Sequence, residues 1–225
     1  MTGVVRVLLC DDHRIVREGL KMVLADDPGL RVVAEADTGP RVLEAVQALQ
    51  GPAGVDVVLL DIAMPGMDGL DVLQRLQRLR REWPGLPVLM LSTYPEKQYA
   101  VRCIRLGASG YLNKSTDPDG LMAALRHVAA GGMHVTPAVA EALASLVSQG
   151  RTKSGIEWLS HREHQVYVLL TQGLTVSEIG AQLGLAPNTV STYRARILEK
   201  TGTKNDVELA LYAQSHATGQ GRGLA

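Results

Sequence analysis

The chain contains no phenylalanine and only 4% aromatic residues, so its cores must be built mainly from aliphatic side chains. It has two cysteines, Cys10 and Cys103, both in apolar surroundings. Two are too few for a disulfide framework, and buried thiols are the expected reading. An excess of either charge is also missing: 23 Lys+Arg balance 23 Asp+Glu. That argues against indiscriminate coating of nucleic acid or membrane, but leaves room for a small basic surface. No apolar run approaches the roughly 18 residues of a spanning helix. The start, "MTGVVRVLLC", lacks the basic region of a signal peptide, and its apolar run stops at Asp11 and Asp12. These absences point to a soluble, cytoplasmic chain with no membrane contact. Its 225 residues suffice for one or two cores.

What is present is an alternation. Apolar runs at 4–9, 30–36, 55–60, 87–91 and 109–113 read as strands, and helical spacing fills 13–26, 40–50, 68–82, 95–107 and 117–130. Strands alternating with helices imply right-handed crossovers and a parallel sheet. The runs 55–60 and 87–91 are apolar on both faces, as central strands must be. The expected fold is α/β, a doubly wound (flavodoxin-like) five-stranded parallel sheet in the order 2-1-3-4-5. Asp117 caps the fifth helix, with Pro118 at its first position.

This first domain is assigned to 1–130. "GGMHVTP" (131–137) interrupts the pattern, 138–147 reads as a short helix, and polar "SQGRTKSG" (148–155) as a flexible stretch. Residues 131–155 are therefore expected to be a linker with a short helix. Residues 156–216 show no strand signal, and helical patterns cover 160–172, 176–183, 187–200 and 205–215. Ser160 with Glu163, and Thr175 with Glu178, have capping-box spacing, while Gly173 and Gly184 fall where helices should stop. The second domain is thus small and all-α, of helix-turn-helix type, with 217–225 as a disordered tail.

The run "VDVVLLDIAMPGMDG" (55–69) ends on a carboxylate, Asp61. In an open parallel sheet, ligands bind beyond the carboxyl ends of the strands. Asp11 and Asp12 follow the first strand, and the order 2-1-3-4-5 makes strands one and three neighbours. Three carboxylates then converge, and like charges cannot share a dry crevice without help. A hard divalent cation supplies it, so the acids imply a Mg²⁺ site. Ser92 ends the fourth strand and Lys114 follows the fifth. A lysine there acts as a point charge against a phosphoryl group, and a hydroxyl donates to its oxygens. Asp61 becomes the nucleophile that would carry an aspartyl-phosphate.

Residues 4–130, through "LLCDD" (8–12), "LLDIAMPGMDG" (59–69), "LST" (91–93) and "GASGYLNK" (107–114), resemble the receiver domain of two-component response regulators. The resemblance implies phosphorylation of Asp61 by a sensor histidine kinase. It implies Mg²⁺ held by Asp12, Asp61 and the carbonyl of Ala63, with Asp11 assisting through water. Ser92 would be the switch hydroxyl and Tyr111 the switch aromatic, turning inward on phosphorylation. Receivers commonly carry proline after the lysine; Ser115 stands here, which leaves the Lys114–Ser115 bond open between cis and trans.

"LTVSEIGAQLGLAPNTVSTYRARILEKTG" (174–202) reads as helix, turn, helix, with Ile179, Leu183, Val190 and Ile197 available for the interior. The second helix of such a pair lies in the major groove. Asn188, Ser191, Thr192, Arg194, Arg196, Lys200 and Lys204 are its candidate DNA contacts, Ser191 and Thr192 facing base edges and the basic residues the backbone. Residues 159–212 resemble the LuxR-type helix-turn-helix domain, and the joined arrangement resembles NarL/FixJ-type transcriptional regulators. That implies a regulator whose phosphorylation controls dimerisation and binding of a promoter inverted repeat in double-stranded DNA. Leu209, Tyr212 and Ala213 offer an apolar stripe on the last helix, for pairing of two copies or for packing within the domain. The two rivals are a phosphorylation-independent DNA-binding regulator with a vestigial receiver and an aspartate-nucleophile phosphatase. The phosphatase needs an acid two residues after Asp61, where Ala63 cannot transfer protons.

Overall fold

The computed structural model describes residues 3–49, 54–78, 85–94, 96–148 and 155–217. The chain divides into two compact units, Met1–Arg151 and Thr152–Ala225. In the first, strands β1 (Val5–Cys10), β2 (Leu30–Ala36), β3 (Val57–Asp61), β4 (Val88–Ser92) and β5 (Gly110–Asn113) alternate with helices α1 (Arg14–Ala25), α2 (Gly39–Ala48), α3 (Gly69–Arg78), α4 (Glu96–Arg105) and α5 (Pro118–Ala129). All neighbouring strands are parallel, in the order β2-β1-β3-β4-β5.

Side-chain alternation along the strands divides the core in two. Leu8, Val58, Leu60, Val88, Met90 and Tyr111 face one side, where α2, α3 and α4 bring Val42, Leu70, Leu73 and Cys103. Val7, Leu9, Val57, Leu59, Leu89 and Leu112 face the other, where α1 and α5 bring Leu24, Leu121 and Leu125. Every residue of β3 and β4 is buried, which is why these strands read as unbroken apolar runs. Each fully buried aliphatic side chain contributes about 1.5–3 kcal/mol, so this two-sided core is what holds the strand ends in place.

The segment expected to be a linker is largely attached to the first unit. His134 pairs in parallel with Gly110 at the free edge of β5. Its N–H donates to Ser109 O at 2.9 Å, and its carbonyl accepts from Tyr111 N at 3.2 Å. A Cβ on Gly110 would stand 2.8 Å from His134 O, so the absence of a side chain there admits this strap. After it comes α6 (Pro137–Ser148), whose Val139 is buried in the core that contains Tyr99, Ala100 and Cys103 of α4. The sequence pattern gave no sign of this edge pairing, because a single bridge leaves no periodicity. The stretch 149–154, most of the expected flexible linker, and the tail 218–225 lie outside the described residues, as do 79–82 of the expected third helix.

The second unit opens with a 3-10 turn, Gly155–Trp158, followed by α7 (His161–Thr171), α8 (Val176–Leu183), α9 (Pro187–Thr201) and α10 (Asp206–Ala217). Both capping boxes are formed, at Ser160/Glu163 and Thr175/Glu178. Gly184 ends α8 in the left-handed region at φ 65°, and Pro187 opens α9. Ala186 caps α9 without a side-chain hydrogen bond. Gly180 lets the turn between α8 and α9 close, since a Cβ there would lie 2.8 Å from Leu185 O. Ile179, Val190 and Ile197 are buried with Leu159, Val166 and Leu209, and Leu183 packs against them. Of the two readings left open for Leu209, pairing of copies or packing within the domain, its burial in this core supports the second. Ala213 packs on that core, and Tyr212 Oη accepts from Gly155 N at 2.8 Å. Among the described residues, the large apolar side chains that α10 exposes are Val207 and Leu211.

Candidate functional site

The ends of β1, β3, β4 and β5 bring the charged groups of the first unit together. Asp61 is the last residue of β3, and Gly69 at the start of α3 packs against its backbone so closely that a Cβ would lie 2.1 Å from Asp61 O. Lys114 reaches back across the strand ends: its Nζ lies 2.6 Å from Asp11 Oδ2 and 3.0 Å from Asp61 Oδ2. Asp11 and Asp61 are 0% and 1% exposed, so this is a charge cluster largely withdrawn from water. The Asp11 backbone is tied to β2 by its N–H to Ala36 O, and its carbonyl accepts from Arg17 Nη1 at 2.7 Å. Asp11 Oδ1 accepts from His13 N at 2.8 Å, fixing that side chain in the loop.

The Asp61 oxygens make no hydrogen bond of full geometry, Lys114 Nζ standing 3.0 Å from Oδ2 as an ion pair; buried Asp12 Oδ1 makes none either, with His13 Nδ1 at 2.8 Å. Burial pushes the Asp61 carboxyl above the ordinary range; Lys114 pulls it back, Asp11 adds to the rise, and the Ala63 N–H lowers it. Lys114 is held above its ordinary value: burial opposes its charge, but Asp11 and Asp61 outweigh that cost. Buried carboxylate oxygens without donors are what a hard divalent cation satisfies. One donor atom from each of Asp11, Asp12, His13 and Asp61 lies within 4.8 Å of the others, so the acids fit such an ion.

Ser92 ends β4, fully buried, and its Oγ accepts from Tyr94 N at 3.1 Å. Tyr111 is already inward, 2% exposed, and its hydroxyl donates to Tyr94 O at 2.7 Å. Asn113 Nδ2 donates to the same carbonyl at 3.2 Å. Burial raises the Tyr111 hydroxyl pKa, so it remains a donor at neutral pH. The loop after β4 is thus held from both sides, by the hydroxyl beside the acid cluster and by the aromatic on β5. There are no cis peptide bonds among the described residues, so Lys114–Ser115 is trans.

On α9, Asn188, Ser191, Thr192 and Arg196 are exposed together with Ala195 and Glu199. Thr192 Oγ1 donates to Asn188 O within the helix. The basic residues divide into two groups. Arg194 Nε is bonded to both oxygens of Asp206, at 2.8 and 3.0 Å. Lys200 Nζ lies 2.5 Å from Glu163, whose carboxylate is buried and also closes the α7 capping box. Arg196 and Lys204 remain exposed. Both ion pairs join residues distant in sequence, so helical spacing alone does not reveal them.

Residues 7–126 match the response regulator receiver domain, and residues 157–213 match bacterial regulatory proteins of the luxR family. Transcriptional regulatory protein UhpA of Escherichia coli strain K12 is 42% identical over 206 residues, covering 92% of this chain and 96% of its own. Response regulator GacA of Pseudomonas aeruginosa is 37% identical over 213 residues, with 94% and 96% covered. Among solved structures, RcsB from Salmonella enterica serovar Typhimurium bound to promoter P1flhDC with the phosphomimetic BeF3- aligns over 95% of this chain and all of that one. Its TM-score is 0.55 at 25% identity.

Two measurements follow from the geometry. Because burial raises the Asp61 carboxyl, the folded chain keeps that proton to higher pH than the unfolded chain. Stability then falls as pH rises from the ordinary carboxylate range through the raised value. Asp61→Asn removes the group that burial disfavours, so in metal-free buffer at pH 7 it should stabilise the receiver by on the order of 1 kcal/mol, seen as a higher melting temperature, and flatten this decline. A lower melting temperature would contradict the assignment of cause. On α9, Arg196→Ala should weaken DNA binding and reduce its salt slope by about 1, with stability within about 0.5 kcal/mol of the parent. Lys200→Ala should cost about 1–3 kcal/mol of stability by stranding Glu163. The reverse pattern in melting and salt titrations would exchange the two roles.

Proposed function

The chain belongs to the two-component response regulators of NarL/FixJ type, which join a receiver domain to a LuxR-type DNA-binding domain, and from that membership we propose that its output is set at Asp61. The protein is a DNA-binding transcription regulator. In our reading, Asp61 attacks the phosphorus of a phosphohistidine on a sensor kinase, the P–N bond breaks, and the imidazole leaves. The observation that carries this reading is the pair of buried Asp61 oxygens with no hydrogen bond, next to the Lys114 ammonium. Lys114 is positioned to balance charge on the transferred group, and Asp11 orients Lys114. Mg²⁺ would be held by Asp11, Asp12 and Asp61, with the Ala63 carbonyl, and supplies positive charge to the phosphoryl oxygens when bound.

The signal then passes through Ser92. A phosphoryl group on Asp61 gives the Ser92 hydroxyl a strong acceptor, in competition with its contact to Tyr94 N. The loop held by Tyr111 and Asn113 shifts with it, and α4 follows. The strap at His134 hangs from Tyr111's own N–H, and α6 packs against α4, so a change at this face reaches the segment leading to the second unit. The proposed domains are a receiver at 1–130, a joining segment at 131–155 and a DNA-binding domain at 156–216. Asn188, Ser191 and Thr192 would read bases, with Arg196 and Lys204 on phosphates. Arg194 and Lys200 contribute from their ion pairs mainly by holding the helix in place. Two copies pair through Val207 and Leu211 of α10, one turn apart and exposed, and bind an inverted repeat. We place the protein in the cytoplasm, where its DNA is; no helix among the described residues is long and apolar enough to cross a membrane.

The test is a gel-shift and light-scattering series on the full chain with acetyl phosphate and Mg²⁺. Phosphorylation should raise promoter affinity and molecular mass together, and Asp61→Asn should abolish both responses. Equal affinity and mass with and without the phosphodonor would favour a regulator that works without phosphorylation.

A further inference from the structure

The outer face of α9 is set by what lies behind it. Val190 and Ile197 turn inward and are buried in the core of the second unit. At about 3.6 residues per turn, the positions opposite them are Asn188, Thr192, Ala195 and Glu199, and all of these are exposed. Ser191 and Arg196 flank that row. Thr192 and Ala195 form its middle, close neighbours at helical i, i+3 spacing. Neither offers a free hydrogen-bond donor. Ala195 ends in a methyl group. The Thr192 hydroxyl has a single hydrogen, and Oγ1 donates it to Asn188 O at 2.9 Å, one turn back in the same helix. With Oγ1 turned to its own backbone, the group that Thr192 has left for a groove is its methyl. The centre of the face is thus a small apolar patch between polar ends.

Base pairs present donors, acceptors and one apolar group to the major groove, and that group is the 5-methyl of thymine. Methyl groups on the protein side match it. Over a guanine or cytosine edge the same methyl groups would cover polar atoms without bonding them, which is unfavourable. We propose that Thr192 and Ala195 recognise thymine through its methyl group, so that each half-site carries a thymine under the middle of α9. The inference rests on reading α9 as the DNA-contacting helix and deepens it. Thr192 reads through its methyl carbon and not through its hydroxyl, and Ala195 joins the residues that read bases.

The test starts with duplexes selected from a random pool by the full chain, incubated with acetyl phosphate and Mg²⁺. In the selected sequence each thymine is replaced in turn by deoxyuridine, which removes the methyl group and keeps every hydrogen-bonding atom. Affinities are measured by fluorescence anisotropy for wild type, Thr192→Ser and Ala195→Gly. Thr192→Ser deletes only the methyl and keeps the hydroxyl that bonds Asn188 O. For wild type, uracil at one thymine of a half-site should weaken binding on the order of fourfold, the effect of one methyl group withdrawn from water. Both variants should bind the thymine duplex more weakly and lose most of the thymine-to-uracil ratio at that position. The ratio is internal to each protein, so a change in helix stability does not alter it. Uracil without effect at every position of the selected site overturns the inference and leaves α9 as the DNA contact. So does a uracil effect that both variants keep in full. If Arg196→Ala, Thr192→Ser and Ala195→Gly all bind the selected duplex as tightly as wild type, the reading of α9 itself fails and takes the inference with it.

Discussion

The contact on which the receiver unit depends is that of one ammonium group with two carboxylates. Lys114 stands 2.6 Å from Asp11 and 3.0 Å from Asp61, and both acids are withdrawn from solvent. Without it, two buried like charges would face each other at the ends of β1 and β3, and one would have to be neutralised. With it, part of the cost that burial imposes on a charged Asp61 is offset, Lys114 Nζ standing 3.0 Å from Oδ2. The fold holds this arrangement from outside. Arg17 and Ala36 fix the Asp11 backbone, and Gly69 lets α3 pack against Asp61 itself. In the proposed reading, this arrangement accepts further positive charge and a phosphoryl group, at some cost in stability.

The same rim is joined to the rest of its unit by short polar contacts rather than by bulk packing. Ser92 and Tyr111 grip the two sides of one loop, and the Tyr111 backbone carries the strap at His134. Gly110 makes the strap possible by having no side chain where the His134 carbonyl passes. A local change of charge at Asp61 thus meets elements with few alternative positions, which is what a switch requires. In the second unit, ion pairs act in a similar way: Glu163 and Asp206 anchor Lys200 and Arg194, leaving Arg196 exposed on a helix that also presents Glu199.

Much of this was legible in the sequence. The doubly apolar runs at 55–60 and 87–91 gave the central strands, because only a sheet covered on both faces buries such runs. Capping boxes at Ser160 and Thr175, the Asp117–Pro118 start and Gly184 gave helix ends, because each satisfies backbone groups locally. The acid, hydroxyl and lysine positions at strand ends followed from the strand order. Other features were not legible. The strap is one bridge between residues 24 positions apart. The partners of Arg194 and Lys200 lie 12 and 37 residues away. Leu209 lies on a helix that is apolar on more than one face, so its burial depends on what the other helices present. Tyr111 was expected to turn inward on phosphorylation; its ring is already inward, so the proposed switch has to act through the loop at Tyr94 and α4.

The central claim is that Asp61 is the side chain that carries the phosphoryl group. Borohydride reduction converts an acyl phosphate to an alcohol and marks the residue that bore it. After incubation with acetyl phosphate and Mg²⁺, reduction and peptide mass spectrometry should find homoserine at position 61 and nowhere else. An unmodified Asp61, or the label at Asp11 or Asp12, would contradict the account.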